Sequence, residues 1–449
     1  MSTIPRYQRI ILLIIAVLIF LSVASFISFY AAGWRYDFTN NEIVKVGFFY
    51  IKASPEDAEV YLDGKLENEK TPHRIKGLLP GDYEIEISKS GYQTWHKTLP
   101  VEASLVTTIN NVILPRESAT SENVINLSPN NLVLNDTATL LAQLSENGKE
   151  ILIYNLENSD TFSLNLITLF PELENEAIFS ILEFSPNNNY LLLRKSFADT
   201  ISHYLIDLAN RSIKIKYRDN ISNITFSADS NTVYYLLQNT LHEQNLNGNI
   251  IPLISNPDQA FTELKFYNNK LYLLSYYEDS NLQYLWSFTG NQFEPITSFS
   301  NANLHLNINK GSLLLTNDSD NWSYVLWFDN LLKLDYNIDN ITIAPDKTKF
   351  AFSSAGELYV VTNNDKKTSI RFLTRLSKPI NNLIWHQDSN NLFYTTSANL
   401  NLIEIDTRGQ INQFTLLDNL ELENNNIIFL NTENIYLNIS DSLQKLIYQ

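Results

Sequence analysis

The sequence predicts an all-β protein apart from one N-terminal transmembrane helix, with a small β-sandwich followed by a β-propeller of seven blades, eight being the alternative count. Three observations predict it: an uncharged apolar run from Ile10 to Ala32, nearly unbroken period-two alternation from Val46 to Leu114, and a line that repeats about every forty residues from near Ser121 onward. The implied order is a cytoplasmic N-terminus (1–9), the membrane helix (10–32), a juxtamembrane linker (33–45), the sandwich (46–115), a second linker (116–120) and the propeller (121–449). With 44% hydrophobic and 18% charged residues, the chain of 449 residues folds and holds more than one core.

The apolar run is long enough, at about 1.5 Å per residue, to cover the roughly 30 Å hydrocarbon core of a bilayer. Arg6 and Arg9 precede it, whereas Arg35 is soon followed by Asp37 and Glu42, which orients the N-terminus to the cytoplasm and the bulk of the chain outside. Trp34 and Tyr36 fall where an interfacial aromatic belt belongs. A cleaved signal peptide is the competing reading, but its apolar region is about 7–15 residues, and Tyr30-Ala31-Ala32 matches a small-x-small site poorly.

The sandwich is read from FFYIKAS, AEVYLDG, YEIEISK and WHKTLPV, with turns at Asp63-Gly64, Thr71-Pro72, Pro80-Gly81-Asp82 and Ser90-Gly91. SPEDAEVYLDGK, then TP, then LLPGDYEIEISKSGYQTW, then a strand ending NVILP resembles the PEGA family of surface-associated β-sandwich modules. Pro55, Asp57, Ala58, Asp63, Gly64, Thr71, Pro72, Pro80, Gly81, Tyr83, Gly91 and Tyr92 stand at the family's motif positions. Asp57 replaces the glycine of the family name, and Glu69 and Lys70 stand where a glycine usually precedes the TP pair. Asp tolerates the left-handed backbone region, so Asp57 is expected in a turn with φ > 0. The resemblance implies a non-catalytic binding or spacer unit in a membrane-anchored or secreted prokaryotic protein. Tyr92 and Trp95 are the candidate ligand contacts, as an exposed aromatic pair would offer a pyranose ring a flat apolar surface, although in so small a domain residues of these types more often pack in the core.

In the repeat, ILEFSPNNNYLLL, NITFSADSNTVYY, ITIAPDKTKFAFS and NLIWHQDSNNLFY read as apolar strand, Asx or Pro turn, apolar strand. Phe184, Phe226, Phe266, Leu306, Ile343 and Trp385 are equivalent positions at about the period of a propeller blade. The turn lines resemble TolB-like and WD-repeat-like propellers, although the Gly-His and Trp-Asp dipeptides of WD repeats are missing.

Composition excludes several functions. A net charge of −17 without any basic block disfavours nucleic acid as a partner. The absence of cysteine removes disulfides, thiolate zinc sites and cysteine nucleophiles. The six histidines show no metal-ligand spacing, and His386 aligns with a serine in a turn. There is no GxSxG elbow or glycine-rich phosphate loop, and no cofactor, metal or catalytic residue is expected. Asn317-Asp318-Ser319-Asp320-Asn321 has the oxygen density for Ca²⁺ but lacks the flanking Gly and terminal Glu, so it reads as a solvated turn. The functional expectation is a membrane-anchored cell-surface binding or scaffold protein with an envelope polysaccharide or protein partner. The alternative is a cell-envelope glycan lyase or hydrolase, which would need Asp229, Asp346 and Asp388 to converge; their shared turn position argues instead for a structural role.

Overall fold

A computed structural model describes residues 5–126, 132–172, 176–255, 259–277, 279–289, 292–300, 303–309, 312–317, 322–327, 330–364, 367–418, 428–431, 434–439 and 442–449. They cluster into two compact units: Met1–Ala119 with Ile403–Leu416 and Tyr448–Gln449, and Thr120–Leu402 with Leu417–Ile447.

The first unit opens with the helix Arg6–Ala31, which buries none of its residues and is long and apolar enough to cross a membrane. Gly33, at φ 84°, ends it, its N–H donating to Tyr30 O at 3.2 Å, and the Arg35 guanidinium donates to the carbonyls of Tyr30 (2.7 Å) and Trp34 (2.8 Å). Ser28 donates back to Ala24 O at 2.8 Å, within its own helix. Residues 33–45 are not the plain linker expected: Trp34–Asp37 pairs antiparallel with Glu42–Lys45. The Asp37 carboxylate caps the turn by accepting from Thr39 N at 2.8 Å, a local bond that Asx residues make readily.

The module beyond it has a three-stranded sheet ordered His73–Leu78, Gly47–Ser54, Val106–Ile113 and a four-stranded sheet ordered Lys65–Leu66, Glu59–Leu62, Gly81–Ser88, Trp95–Val101. Alternation dictates the core: Phe49, Ile51, Ala58, Val60, Ile85, Ile87 and Leu99 are fully buried. Asp57 lies at φ 62°. Its neighbour Ala58 donates its N–H to Thr71 Oγ1 at 3.0 Å, so the first motif segment is joined to the TP pair. Pro55 and Pro72 both follow cis peptide bonds. Asp63 and Gly64 (φ 48° and 75°) form the two-residue hairpin turn between Leu62 and Lys65. Beyond the Pro80-Gly81 turn, Tyr83 donates its hydroxyl to Leu79 O at 2.9 Å and meets the Phe49 ring edge-on. Gly91, at φ 83°, turns the chain into Tyr92.

Beyond the module, Leu132–Leu134, Ile178–Phe184, Asn223–Phe226, Ala260–Tyr267, Leu304–Asn309, Asn340–Ile343 and Asn382–Trp385 each open a four-stranded sheet that runs in chain order. One more four-stranded sheet is composite: Thr120–Asn126 pairs antiparallel with Ser442–Ile447, which is followed by Asn434–Ile439 and Ile428–Asn431. Among the described residues the chain from Thr120 onward therefore has eight four-stranded sheets rather than the seven favoured from the sequence. The short polar strand Thr120–Asn126 completes a sheet whose other three strands come from the far end of the chain, a pairing that no local repeat signals.

The Asx turns are built as their composition demands. Ser227 Oγ accepts from Thr232 N at 3.2 Å, Asp229 Oδ1 accepts from Asn231 N at 3.0 Å, and Ser230 takes φ 61°. In the corresponding turn, His386 Nδ1 replaces the serine hydroxyl and accepts from Asp388 N at 3.2 Å. Successive turns are tied together, Asn187 N donating to Ser230 Oγ at 3.0 Å and Asp346 N to Ser389 Oγ at 3.1 Å. Of the oxygen-rich run at Asn317, residues 318–321 lie outside the described residues.

A second set of links joins the first strands of neighbouring sheets. Glu183 accepts from Phe226 N at 3.0 Å, while Glu263 accepts from Leu306 N and holds His305 Nδ1 at 2.8 Å. Burial pushes the Glu183 carboxyl from its ordinary 4.5 up to about 7, against the opposing pull of the Phe226 N–H and the Lys265 charge. Because the folded value is raised, the contribution of Glu183 to stability is fully present below about pH 4.5 and is lost as pH rises through about 7. Glu183→Gln, which keeps the acceptor, is expected to match the wild type near pH 4.5 and to exceed it at pH 8 by up to about 3 kcal/mol in denaturant unfolding. A difference that does not change with pH would rule out this assignment.

Candidate functional site

The strand Trp95–Val101 alternates strictly, with Trp95, Lys97, Leu99 and Val101 buried and His96, Thr98 and Pro100 exposed. A lysine in a row of core positions needs counter-charges. They come from Ile403–Leu416 in the same compact unit. The Lys97 ammonium, fully buried, lies 2.6 Å from Glu404 Oε1 and 3.5 Å from Asp406 Oδ2, and donates to Asp406 O at 2.7 Å. The other Glu404 oxygen accepts from Trp95 Nε1 at 3.0 Å, and its Oε1 also accepts from Asn412 N and Nδ2 at 2.8 and 2.9 Å.

Arg408 holds Asp406 from the far side (Nη2 to Oδ2, 2.8 Å) and donates to Thr108 O at 3.0 Å. Burial raises the Asp406 carboxyl, but bonds from the Arg408 side chain and backbone, with the Lys97 charge, leave it below the usual carboxylate range. Gly409, at φ 64°, passes so close to this strand that a Cβ would stand 2.6 Å from Thr98 O. Only glycine permits that approach.

Above this network lies an open, polar hollow of about 550 Å³ lined by Tyr92, Gln93, Thr94, His96 and Glu117 on one side and by Gln410 to Phe414 on the other. Tyr92 is pinned by pairing with Arg116, whose guanidinium lies 6.0 Å from its ring centroid. Gln93 donates its N–H to Pro115 O at 2.8 Å and its side-chain amide to Thr415 O at 2.9 Å. His96 N donates to Asn412 Oδ1 at 3.3 Å, and the Gln410 amide donates to His96 Nε2 at 2.7 Å.

Tyr92 is therefore half-buried on the wall of a hollow, with part of its ring open. Trp95 is not: it is 2% exposed, its indole N–H committed to Glu404, so the exposed Tyr92–Trp95 pair does not form. Alternation places the two on different terms, since Trp95 points inward from a regular strand while Tyr92 precedes it in the turn. The residues that complete the hollow, Gln410 to Phe414, were not singled out in the sequence. The available signal was Lys97 itself, a charge at an inward position.

The aspartates that the enzymatic alternative required are each occupied by their own turn. The Ser227 hydroxyl and the Asn231 N–H hold Asp229 below the usual carboxylate range. Asp346 bonds Thr348 N at 2.9 Å, and Asp388 bonds Asn390 N at 2.8 Å. Among the described residues no group of three or more His, Cys, Asp or Glu is arranged to hold a metal ion.

Residues 46–117 match the PEGA domain. No curated protein sequence matches the chain. Solved structures similar to it include the Dos1 propeller (12% identity, TM-score 0.48, covering 73% of this chain and 93% of that one). Also similar are the WD40 domain of SCAP from fission yeast (11%, 0.43, 74% and 98%) and a Porphyromonas gingivalis dipeptidyl peptidase 4 (9%, 0.40, 71% and 65%). Likenesses at this level carry no inference about activity.

The buried network makes its own prediction. Lys97→Met leaves the Glu404 carboxylate buried without its cation and is expected to cost about 3–5 kcal/mol, Glu404→Gln, which leaves Lys97 its Asp406 partner, is expected to cost less, and the double variant recovers much of the Lys97→Met loss. Hydrogen exchange of the strand Trp95–Val101 in the full chain reads both. Additive losses would show that the two side chains are not coupled.

Proposed function

We propose that this PEGA-domain protein is a membrane-anchored, extracytoplasmic binding protein whose PEGA module contacts envelope glycan at the Tyr92–His96 hollow, with the propeller as a platform for a further partner. The observation that carries the reading is the hollow itself. Its volume falls in the range of small-molecule sites, roughly 300–1,000 Å³. Its rim offers one open aromatic surface and the exposed amides of Gln410 and Gln413. Amides pair with vicinal hydroxyls through adjacent donors and acceptors, and a Tyr ring takes the apolar face of a sugar. The net charge of the whole chain, −17, favours neutral or cationic glycans over polyanionic ones. The apolar run from Ile10 within the helix Arg6–Ala31, uncharged and preceded by Arg6 and Arg9 with Asp37 and Glu42 beyond it, supports the anchor and the outside assignment.

Full-length protein in detergent, applied to arrays of peptidoglycan fragments and neutral polysaccharides, is expected to retain a neutral glycan. Tyr92→Ala and Gln413→Ala are each expected to weaken that retention by about tenfold, the loss of one stacking or bidentate contact. Retention of no glycan, or retention indifferent to both substitutions, overturns the site. Protease added to intact cells is expected to cleave the chain after Arg35, and full protection there overturns the outside assignment.

A further inference from the structure

The hairpin Trp34–Asp37/Glu42–Lys45 follows the apolar helix directly, and its register places Trp34 opposite Lys45 and Tyr36 opposite Ile43. Residues opposite one another in an antiparallel pair share a face. Trp34, Tyr36, Ile43 and Lys45 therefore lie on one side of the hairpin. That face is unusually open for its chemistry: Ile43 is 59% and Tyr36 46% exposed, and Phe38 at the turn, edge-on to Tyr36 at 5.0 Å, is 83% exposed.

The same face turns back toward the helix. Trp34, Tyr36 and Ile43 share an apolar hollow of about 280 Å³ with Ser25, Phe26, Phe29 and Tyr30, which belong to the last two turns of the helix. The Trp34 ring sits 6.0 Å from that of Phe29. Two cations border the arrangement, the Arg35 guanidinium 3.3 Å over the Tyr30 ring and the Lys45 ammonium 5.3 Å from the Trp34 ring. The acidic pair Asp37 and Glu42 is on the opposite face.

We propose that the hairpin lies in the bilayer rather than above it, with Trp34, Tyr36, Phe38 and Ile43 at the boundary between headgroups and acyl chains, and with phospholipid of the same membrane filling the helix–hairpin hollow. This rests on the anchor reading of the helix. The hairpin face stands level with helix turns that, in a spanning helix, are inside the leaflet. Aromatic rings with a polar edge partition to that depth, and Arg35 and Lys45 stand where lipid phosphates would meet them. No spacer separates the hairpin from the PEGA module: Val46 N donates to Gly33 O at 2.9 Å, and the strand Gly47–Ser54 begins at once. The module is thereby held at the membrane surface.

The chain contains no cysteine, so single-cysteine spin labels can be placed on the full-length protein without background. Phe38→Cys, Ile43→Cys, Leu18→Cys and Leu66→Cys are labelled and reconstituted into vesicles of phosphatidylethanolamine and phosphatidylglycerol, and collision with oxygen and with a water-soluble nickel chelate is read by power saturation. Leu18 lies within the helix, and Leu66 is an exposed residue of the module. The labels at Phe38 and Ile43 are expected to collide with nickel several-fold less than the label at Leu66 and with oxygen more. Labels at Phe38 and Ile43 as nickel-accessible as that at Leu66, with Leu18 shielded, overturn the hairpin assignment while leaving the anchor intact. A nickel-accessible Leu18 overturns the anchor reading and the hairpin proposal with it. Two hairpin sites are used so that a fault in folding at either one leaves the other to decide.

Discussion

The pairing of Thr120–Asn126 with Ser442–Ile447 is the constraint on which the larger unit depends. A four-stranded sheet buries one face against the next sheet only if a next sheet exists, and a series that stops leaves an apolar face and a free strand edge at each end. Here the first strand of the series completes the sheet made by the last three, so the start and the end of the series close it without a disulfide. The ladder is antiparallel with one register shift between Asn123 and Ile125, and its N-terminal strand is almost wholly exposed. Its role is therefore carried by backbone hydrogen bonds more than by side-chain burial.

With closure fixed, neighbouring sheets still have to be held in register, and the protein assigns this task to polar side chains. The serine and Asx turns donate and accept between adjacent sheets, and Glu183 and Glu263 reach from one first strand to a backbone N–H of the next. These carboxylates sit beside strand bulges, where pairing with the partner strand is interrupted and a side chain is free to turn away from its own sheet. Acidic groups that could have been read as chemistry are thus largely consumed by architecture. The same logic governs Lys97, whose ammonium is enclosed by Glu404, Asp406 and a backbone carbonyl.

The elements were legible where the pattern is local. Alternation located the strands of the module, Asp63-Gly64 announced a two-residue turn, and Asp57 was recognisable as a residue able to take the glycine's left-handed place, which it does at φ 62°. His386 could be matched to a turn serine by position alone, although its ring accepts the N–H of Asp388, two residues on, where Ser227 accepts that of Thr232, five residues on. What was not legible depends on residues far apart in sequence. The extra sheet needs the start and the end of the repeat series together, the indole N–H of Trp95 finds its acceptor on Glu404, and the hollow beside Tyr92 needs Gln410 to Phe414. Charges at apolar positions, Lys97 in WHKTLPV and Glu183 in ILEFSP, were the traces of those distant partners.

The distribution of polar groups also bears on the choice between binding and catalysis. A general acid or base needs a titratable group that is free to exchange a proton with something bound. Asp229, Asp346 and Asp388 are engaged by turn backbone, Glu404 by Trp95, Lys97 and Asn412, and Asp406 by Arg408. The hollow at Tyr92 is different in kind: beside the Glu117 carboxylate and the His96 imidazole, which is bonded to the Gln410 amide, it carries exposed amides, groups that hold hydroxyls without exchanging protons with them. Rigidity reinforces the point, for Gly409 brings the Gln410–Phe414 segment against the strand at a distance no other residue would allow. A rim preset by a buried ion network gives up little conformational entropy when a ligand arrives, and that is the property a binding surface requires.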